Sequence, residues 1–328
     1  MHMADALLSP VVGGTMLAVS GGLLAYSVRK VRKNFNESRI PLMGTAGAFV
    51  FAAQMINFAI PGTGSSGHIG GAVLLAALLG PAPAFIVMAG VLLVQALFFA
   101  DGGLLAWGCN LFNMGFFGCF LAYPYVFRPI AGKSMSRSRI FAAGVAACLV
   151  TLELGALAVT LETLLSGVTE LPFAAFAAAM LPIHLAIGLG EGLATAAVLL
   201  FIHRNLPDAE TLKQEEKTFS PLNLAWVFGL AALFIGGALS LLASGRPDGL
   251  EWSVERVAGN TGPEPAGPVH VFFARLAELL AFLPDYGFPD GGSRLGTAVS
   301  GIAGAAICMM VLFGVACLIR RGKEKTGS

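Results

Sequence analysis

The sequence predicts an all-α integral membrane protein of about nine transmembrane segments, and three observations carry that prediction. Of 328 residues, 56% are hydrophobic and only 12% charged, with a mean hydropathy of +0.78, far outside the range of globular domains. Apolar runs long enough to cross a bilayer recur from end to end. The basic residues sit between those runs. All of the twenty lysines and arginines except Arg246, Arg256, Arg275 and Arg294 fall within 29–39, 128–139, 204–217 and 320–325.

In chain order, spans are expected near 9–28 and 40–60. The run 69–80 is shorter, bounded by Gly71 and by GPAP at 80–83, and reads as a short or tilted helix. Spans near 84–100, 105–127, 140–166 and 173–203 complete seven segments joined by short loops within residues 1–205. A polar stretch follows, NLPDAETLKQEEKTFSP, whose clustered charge marks 206–221 as a cytoplasmic linker. Spans near 222–243 and 296–319 then form a two-helix module, residues 222–328, enclosing a loop of about fifty residues. That loop (244–295) contains RPDGLEWSVERVAG and an amphipathic stretch near 270–283. No repeat recurs at a fixed period.

The charge map also predicts orientation. The four basic stretches share one side if residue 1 is outside and every segment crosses, 69–80 included. The opposing short loops around 61–68, 101–104 and 167–172 hold no lysine or arginine. The N-terminus is therefore expected outside and the C-terminus in the cytoplasm. A cleaved signal peptide requires basic residues before its apolar run. Here Arg29, Lys30, Arg32 and Lys33 come after it, so the terminal amine is expected to be uncleaved and outward-facing.

That amine gives chemical meaning to the start of the chain. With Met1 retained, as the bulky His2 favours, the amine, the following backbone amide and the His2 imidazole can close five- and six-membered chelate rings around one metal. His68, in the glycine-rich loop GTGSSGHIGG, would complete a planar set of four nitrogens suited to Ni²⁺ or Cu²⁺. Polar residues gather at the same depth: Gln54 and Asn57, Gln95 and Asp101, Asn110 and Asn113. They read as an outer sphere orienting the ligands, or as interhelical hydrogen bonds that hold the bundle together.

Other residues carry weaker signals. His184 and Glu191 are seven apart on one helix face, beside a stripe of Gly188, Gly192 and Ala196 that suits close helix approach. His184 reads as a metal or proton-relay group, or as a satisfied interior histidine paired with a carboxylate such as Glu153. His203 and His270 read as surface residues, with His270 a candidate for metal capture. The five cysteines lie within spans without a Cys-x-x-Cys spacing and read as packing residues, Cys109 alone being near the site level. No GxxxxGK[ST], HExxH or GxSxG motif is present. The chain thus has no visible means of hydrolysing ATP, and uptake against a gradient needs a partner's energy.

The runs QMINFAIPGTGSSGHIGGAVLLAALLGP, VQALFFADGGLLAWGCNLFNMG and LPIHLAIGLGEGLATAAVLLFI, with the Met-His start, resemble the nickel/cobalt substrate-binding subunits of energy-coupling factor (ECF) transporters, the NikM/CbiM family. The tail, with PDGLEW between two spans, looks like a NikN-type auxiliary component fused in the same chain. The resemblance implies a seven-helix ECF substrate-binding core that captures a divalent ion on its outer face. The ligands would be the amine of Met1, the amide and imidazole of His2, and the imidazole of His68. It implies as partners a transmembrane coupling subunit and cytosolic ABC-type ATPases, in a bacterial cytoplasmic membrane, with lipid around the chain and no nucleic acid. The ion, Ni²⁺ or Co²⁺, is substrate; no prosthetic group is expected. The stripe of Gly188, Gly192 and Ala196 fits a surface sliding against a coupling subunit and fits ordinary packing equally well. Met3-Ala4-Asp5 departs from many relatives. Asp5 either folds back near the site or caps the first helix.

The expected function is therefore nickel uptake, with cobalt uptake for cobalamin biosynthesis as the close runner-up. An intramembrane enzyme built on His184, Glu191 and Glu153 is a reading of a different class. Uptake of an organic vitamin would want an aromatic-lined cavity, and three tryptophans and four tyrosines are few for one.

Overall fold

The computed structural model describes residues 1–33, 39–133, 135–205, 221–259, 267–288 and 294–326. Apart from residue 221, the expected linker 206–221 lies outside them. The elements run α1 (Pro10–Lys33), α2 (Ile40–Gln54), a two-stranded ribbon of β1 (Phe58–Ala59) and β2 (Ser66–Gly67), α3 (Ala72–Leu79) and α4 (Pro81–Phe98). A continuous helical rod follows: α5 (Trp107–Asn110), a π-helix (Leu111–Phe127) and α6 (Arg128–Ala131). Then come α7 (Arg137–Ser166), α8 (Phe173–Asn205), α9 (Pro221–Gly237), α10 (Gly249–Ala258), α11 (Pro268–Leu280) and α12 (Arg294–Thr326). The fold is all-α. Among the described residues, five helices are long and apolar enough to cross a membrane, and Ile40–Gln54 and Leu222–Gly237 are shorter apolar helices.

The segment near 69–80 departs from a spanning helix. Its helical part, α3, has 8 residues, about 12 Å at 1.5 Å per residue, against a hydrocarbon core of about 30 Å. The chain before it, from Ile60 to Gly71, holds only the short strand β2 outside irregular backbone, and its stretch 65–68 is buried. Such backbone is tolerated at depth only where protein groups satisfy it. Here Ile60 N–H donates to Ser65 O (2.9 Å) and Ser66 N–H to Pro247 O (2.8 Å). Gln54 Nε2 donates to Gly70 O (2.8 Å), and Gly71 N–H to Glu191 Oε1 (2.9 Å). Gly71 takes φ +84° to begin α3, a conformation that costs a side-chain-bearing residue strain.

The small-residue stripe on α8 is used inside the chain. A Cβ on Gly192 would stand 2.7 Å from Cα of Val145, and one on Gly188 3.2 Å from Cα of Leu149. Ala196 meets Gly144 on the same helix, α7. Gly188, Gly192 and Ala196 are therefore buried against α7 and present no free face for sliding. The C-terminal helices pack on the first seven segments in the same manner. Leu312 of α12 fills the hollows over Gly47 of α2 and Gly90 of α4, and α9 crosses α12 where Gly236 meets Gly301.

Candidate metal centre

The first eight residues form a plug in one end of the bundle. Met1 and Met3 are buried. The Met1 methyl reaches a slot that exists because α7 carries Gly155, where a Cβ would lie 2.7 Å from Met1 Cε. Asn110 clamps the backbone of Met3 from both sides, accepting its N–H at 2.7 Å and donating to its carbonyl at 3.1 Å. Gly103 N–H also donates to Met3 O (2.9 Å). Asp5 neither reaches the site nor caps α1. Its Oδ1 accepts the N–H of Ala106 (2.8 Å), tying the plug to the loop before α5.

This plug brings the terminal amine to His68. Met1 N lies 3.1 Å from His68 Nε2. With metal–nitrogen bonds of about 2.0–2.1 Å, two ligands at right angles stand roughly 2.9 Å apart, so the pair is spaced as neighbours around one ion. His68 Nδ1 lies 3.1 Å from Ile69 O, a contact that places the proton on Nδ1 and leaves Nε2 as the ligand atom. The His2 ring stacks on His68 with centroids 5.1 Å apart and planes 15° apart. His2 Nδ1 is turned to Asp101 Oδ1 at 3.2 Å, and Nε2 is buried without a partner. Chelation through Nδ1 requires this ring to exchange Asp101 for the ion. Among the described residues, no three His, Cys, Asp or Glu side chains converge as a metal set. A metal here depends on main-chain nitrogen.

A carboxylate absent from the sequence-level reading sits at the centre. Asp248, of the PDGLE motif, places Oδ2 2.7 Å from Met1 N. Its other oxygen accepts the N–H groups of Leu250 (2.8 Å) and Glu251 (2.9 Å), and Glu251 bonds back to Asp248 N–H in a capping box. The rest of the loop docks beside it. Ser66 Oγ donates to Arg246 O (2.8 Å) and Trp252 Nε1 to Thr63 O (3.0 Å). Tyr286 donates to Asp101 Oδ2 at 2.5 Å. His270 departs from the expected surface position. It is buried, with Nε2 2.8 Å from Leu8 O, because amphipathic α11 folds onto the plug, so His270 is not free to capture metal.

Burial sets the protonation of the ligands. Burial first, and then the adjacent ammonium, hold His2 and His68 at about 3, so both imidazoles are neutral and able to bind metal throughout the physiological range. Burial alone would raise Asp248, but the ammonium and His68 overcome it and keep the carboxyl below its ordinary range. Asp101 is raised by burial, against the lowering effect of the Tyr286 hydroxyl.

The remaining polar residues divide. Gln95 Nε2 donates to Gln54 Oε1 (2.9 Å), and Gln54 supports the His68 loop at Gly70. Asn113 Nδ2 bonds Glu162 Oε2 (2.7 Å) beneath Met3. Asn57 acts through its carbonyl, which accepts Ser244 N–H (2.7 Å), while its Oδ1 is buried unpaired. A cavity of about 20 Å³ below the amine is lined by Met1, His68, Asn113, His184, Glu191 and Asp248, among others. His184 donates from Nδ1 to Met180 O of its own helix (2.8 Å); its Nε2 is buried unpaired. Glu153 does not line that cavity and bonds neither nitrogen of His184, so the three residues of an enzyme reading are not assembled. Cys109 is buried, as are Cys119, Cys148 and Cys308, and none is disulfide-bonded.

Residues 2–209 match the model of the cobalt uptake substrate-specific transmembrane region, and residues 222–321 that of the PDGLE domain. A fused nickel transport protein NikMN of Rhodobacter capsulatus is 33% identical over 94% of each chain. A putative fused NikMN of Archaeoglobus fulgidus is 30% identical over 95% of this chain and 97% of its own. The cobalt transport protein CbiM of Geobacter sulfurreducens is 29% identical over 82% of this chain and 81% of its own. A crystal structure of a truncated transition metal transporter superposes with a TM-score of 0.55 at 30% identity, covering 62% of this chain and 99% of that one.

Proposed function

The chain belongs to the cobalt uptake substrate-specific transmembrane family, with a PDGLE domain fused behind it, and we propose that it captures Ni²⁺ through Met1, His2 and His68. It is a multi-pass membrane protein of metal uptake and not an enzyme. The observation that carries the proposal is the 3.1 Å approach of the terminal nitrogen to His68 Nε2, made by residues that a random terminus would not bury. The ligands are the Met1 amine, the His2 amide and imidazole, and the His68 imidazole. A planar nitrogen set with a deprotonated amide gives a strong in-plane field that rewards d⁸ Ni²⁺. Relatives named for nickel share the fused architecture over nearly their whole length, which supports the same preference. Co²⁺ is the second reading, favoured by relatives named for cobalt transport, matched over 82% and 63% of this chain.

The site end of the bundle faces outward, the C-terminus is cytoplasmic, and the membrane is the cytoplasmic one; the distribution of basic residues supports this. An ECF coupling subunit and cytosolic ABC-type ATPases supply the energy, since the chain has no nucleotide-binding loop of its own. Residues 1–205 form the binding core and 222–328 the auxiliary module.

Intact mass spectrometry of the purified protein tests the ligand set. One Ni²⁺ on a chain that retains Met1 is expected, in a low-spin, diamagnetic form. Metal bound to chains lacking Met1 rejects it. Affinity should also fall on acidification, by about tenfold per pH unit for each proton the metal displaces from the amine and amide. His2 and His68, held at about 3, are neutral from pH 8 to pH 5 and add nothing to that fall. Calorimetric titration across this range checks it; a pH-independent affinity contradicts the chelate.

A further inference from the structure

We propose that the C-terminal module is a working part of the metal centre, with Asp248 as the positioning residue for the terminal amine; this rests on the Met1–His2–His68 reading above. Each stretch that carries a ligand is held by this module. Asp248 holds Met1, and His270 holds the plug at Leu8 O. The carbonyls of Arg246 and Pro247 and the indole of Trp252 hold the His68 loop at Ser66 and Thr63. Tyr286 fixes Asp101, which faces His2.

The carboxylate of Asp248 divides its work. Oδ1 is committed to the first turn of α10 through Leu250 and Glu251, so the group cannot swing away, and Oδ2 is aimed at the amine. Its approach is set by the next residue. Gly249 lies so close to α8 that a Cβ would stand 2.7 Å from Ile187 Cδ1 and 3.0 Å from His184 Cε1.

An amine bound to a metal keeps two N–H bonds. Oδ2 accepts one of them and directs the lone pair toward the side where His68 Nε2 lies. A chain terminus is otherwise the least ordered of ligands, and ordering it beforehand removes an entropic cost from binding. Partners of this kind, which orient a ligand without touching the metal, are worth about 10–100-fold in affinity.

The test is titration of the full-length purified protein with Ni²⁺ alone. Asp248→Asn and Asp248→Ser both keep a good cap for α10 while removing the carboxylate from the amine. Both should weaken binding by about 10–100-fold. The bound Ni²⁺ should keep its planar absorption, because all four nitrogens remain. Arg256→Gln removes the guanidinium that lies 5.2 Å over the Trp252 ring and loosens the module while leaving every bond to a ligand-bearing stretch in place; it should change affinity by less than about threefold. Unchanged affinity in both Asp248 variants overturns the proposal. So does an equal loss in Arg256→Gln, which would assign the effect to packing of the module and not to the carboxylate. His68→Ala in the same titration separates the two readings: if it binds Ni²⁺ normally, the ligand set itself is wrong, whatever Asp248 does.

Discussion

A histidine-free tag of several residues added ahead of Met1 should abolish high-affinity Ni²⁺ binding and metal uptake. The tag turns the terminal amine into an amide and breaks the chelate that begins with it; a single added glycine is no substitute, because Gly-Met-His is a four-nitrogen chelate of its own. The tag also has no room. Met1 is 6% exposed, and its nitrogen stands between His68 Nε2 at 3.1 Å and Asp248 Oδ2 at 2.7 Å. Four-ligand structural metal sites are worth about 10–16 kcal/mol, so one ligand's share is about 2.5–4 kcal/mol, or about 10²–10³-fold; losing the amine takes its chelate ring as well, which brings the cost to at least about 10³-fold in affinity. A tag placed after Ser328 should be harmless. Uptake of radioactive nickel by cells expressing each form, with detergent-solubilised binding in parallel, makes the comparison. An enzyme built on His184 and Glu191 would show the reverse, tolerating the N-terminal tag and failing on Glu191→Gln. Normal uptake by the extended chain sinks the coordination proposed here.

His68→Ala should have the next largest effect, about 10²–10³-fold weaker binding. It removes the one ligand that does not come from the terminus. The terminal chelate remains, so residual binding through Met1 and His2 is expected, with altered absorption because the fourth in-plane position passes to solvent. The rest of the loop should stay in place, since Gly70 and Gly71 are held by Gln54 and Glu191 and not by the imidazole. Unaltered thermal stability of the metal-free variant, measured beside the titration, would attribute the loss to the ligand. Full affinity in His68→Ala would move the site elsewhere.

Much of this was legible because it is local. A five- or six-membered chelate at Met1-His2 is covalent geometry between adjacent residues, and apolar runs declare spans wherever they occur. The loop histidine stood out because glycines surround it. Other readings changed because they depend on distant packing. His270 looks exposed in an amphipathic stretch, yet α11 turns it onto Leu8, 262 residues away in the chain. The Gly188, Gly192 and Ala196 stripe is legible as a contact surface, but only its burial against α7 says that the partner is internal. Segment 69–80 reads as one crossing; its helix is 8 residues, and the remaining path is irregular chain that other elements satisfy.

Asp248 marks the division most clearly. In the sequence, Asp248 followed three residues later by Glu251 is a complete helix-start signal, and nothing is left over to explain. A carboxylate has two oxygens, however, and the capping role engages only one. The sequence by itself determined the membrane class, and it singled out Met1-His2 and the loop histidine as the proposed ligands, since each follows from composition or from neighbouring atoms. Only the tertiary structure decided that the second oxygen of Asp248 meets the amine of Met1, 247 residues away. That contact exists because Gly155 admits the Met1 side chain and Gly249 lets the PDGLE turn close on α8. These are complementarities of shape between surfaces far apart in the chain, and local patterning carries no record of them.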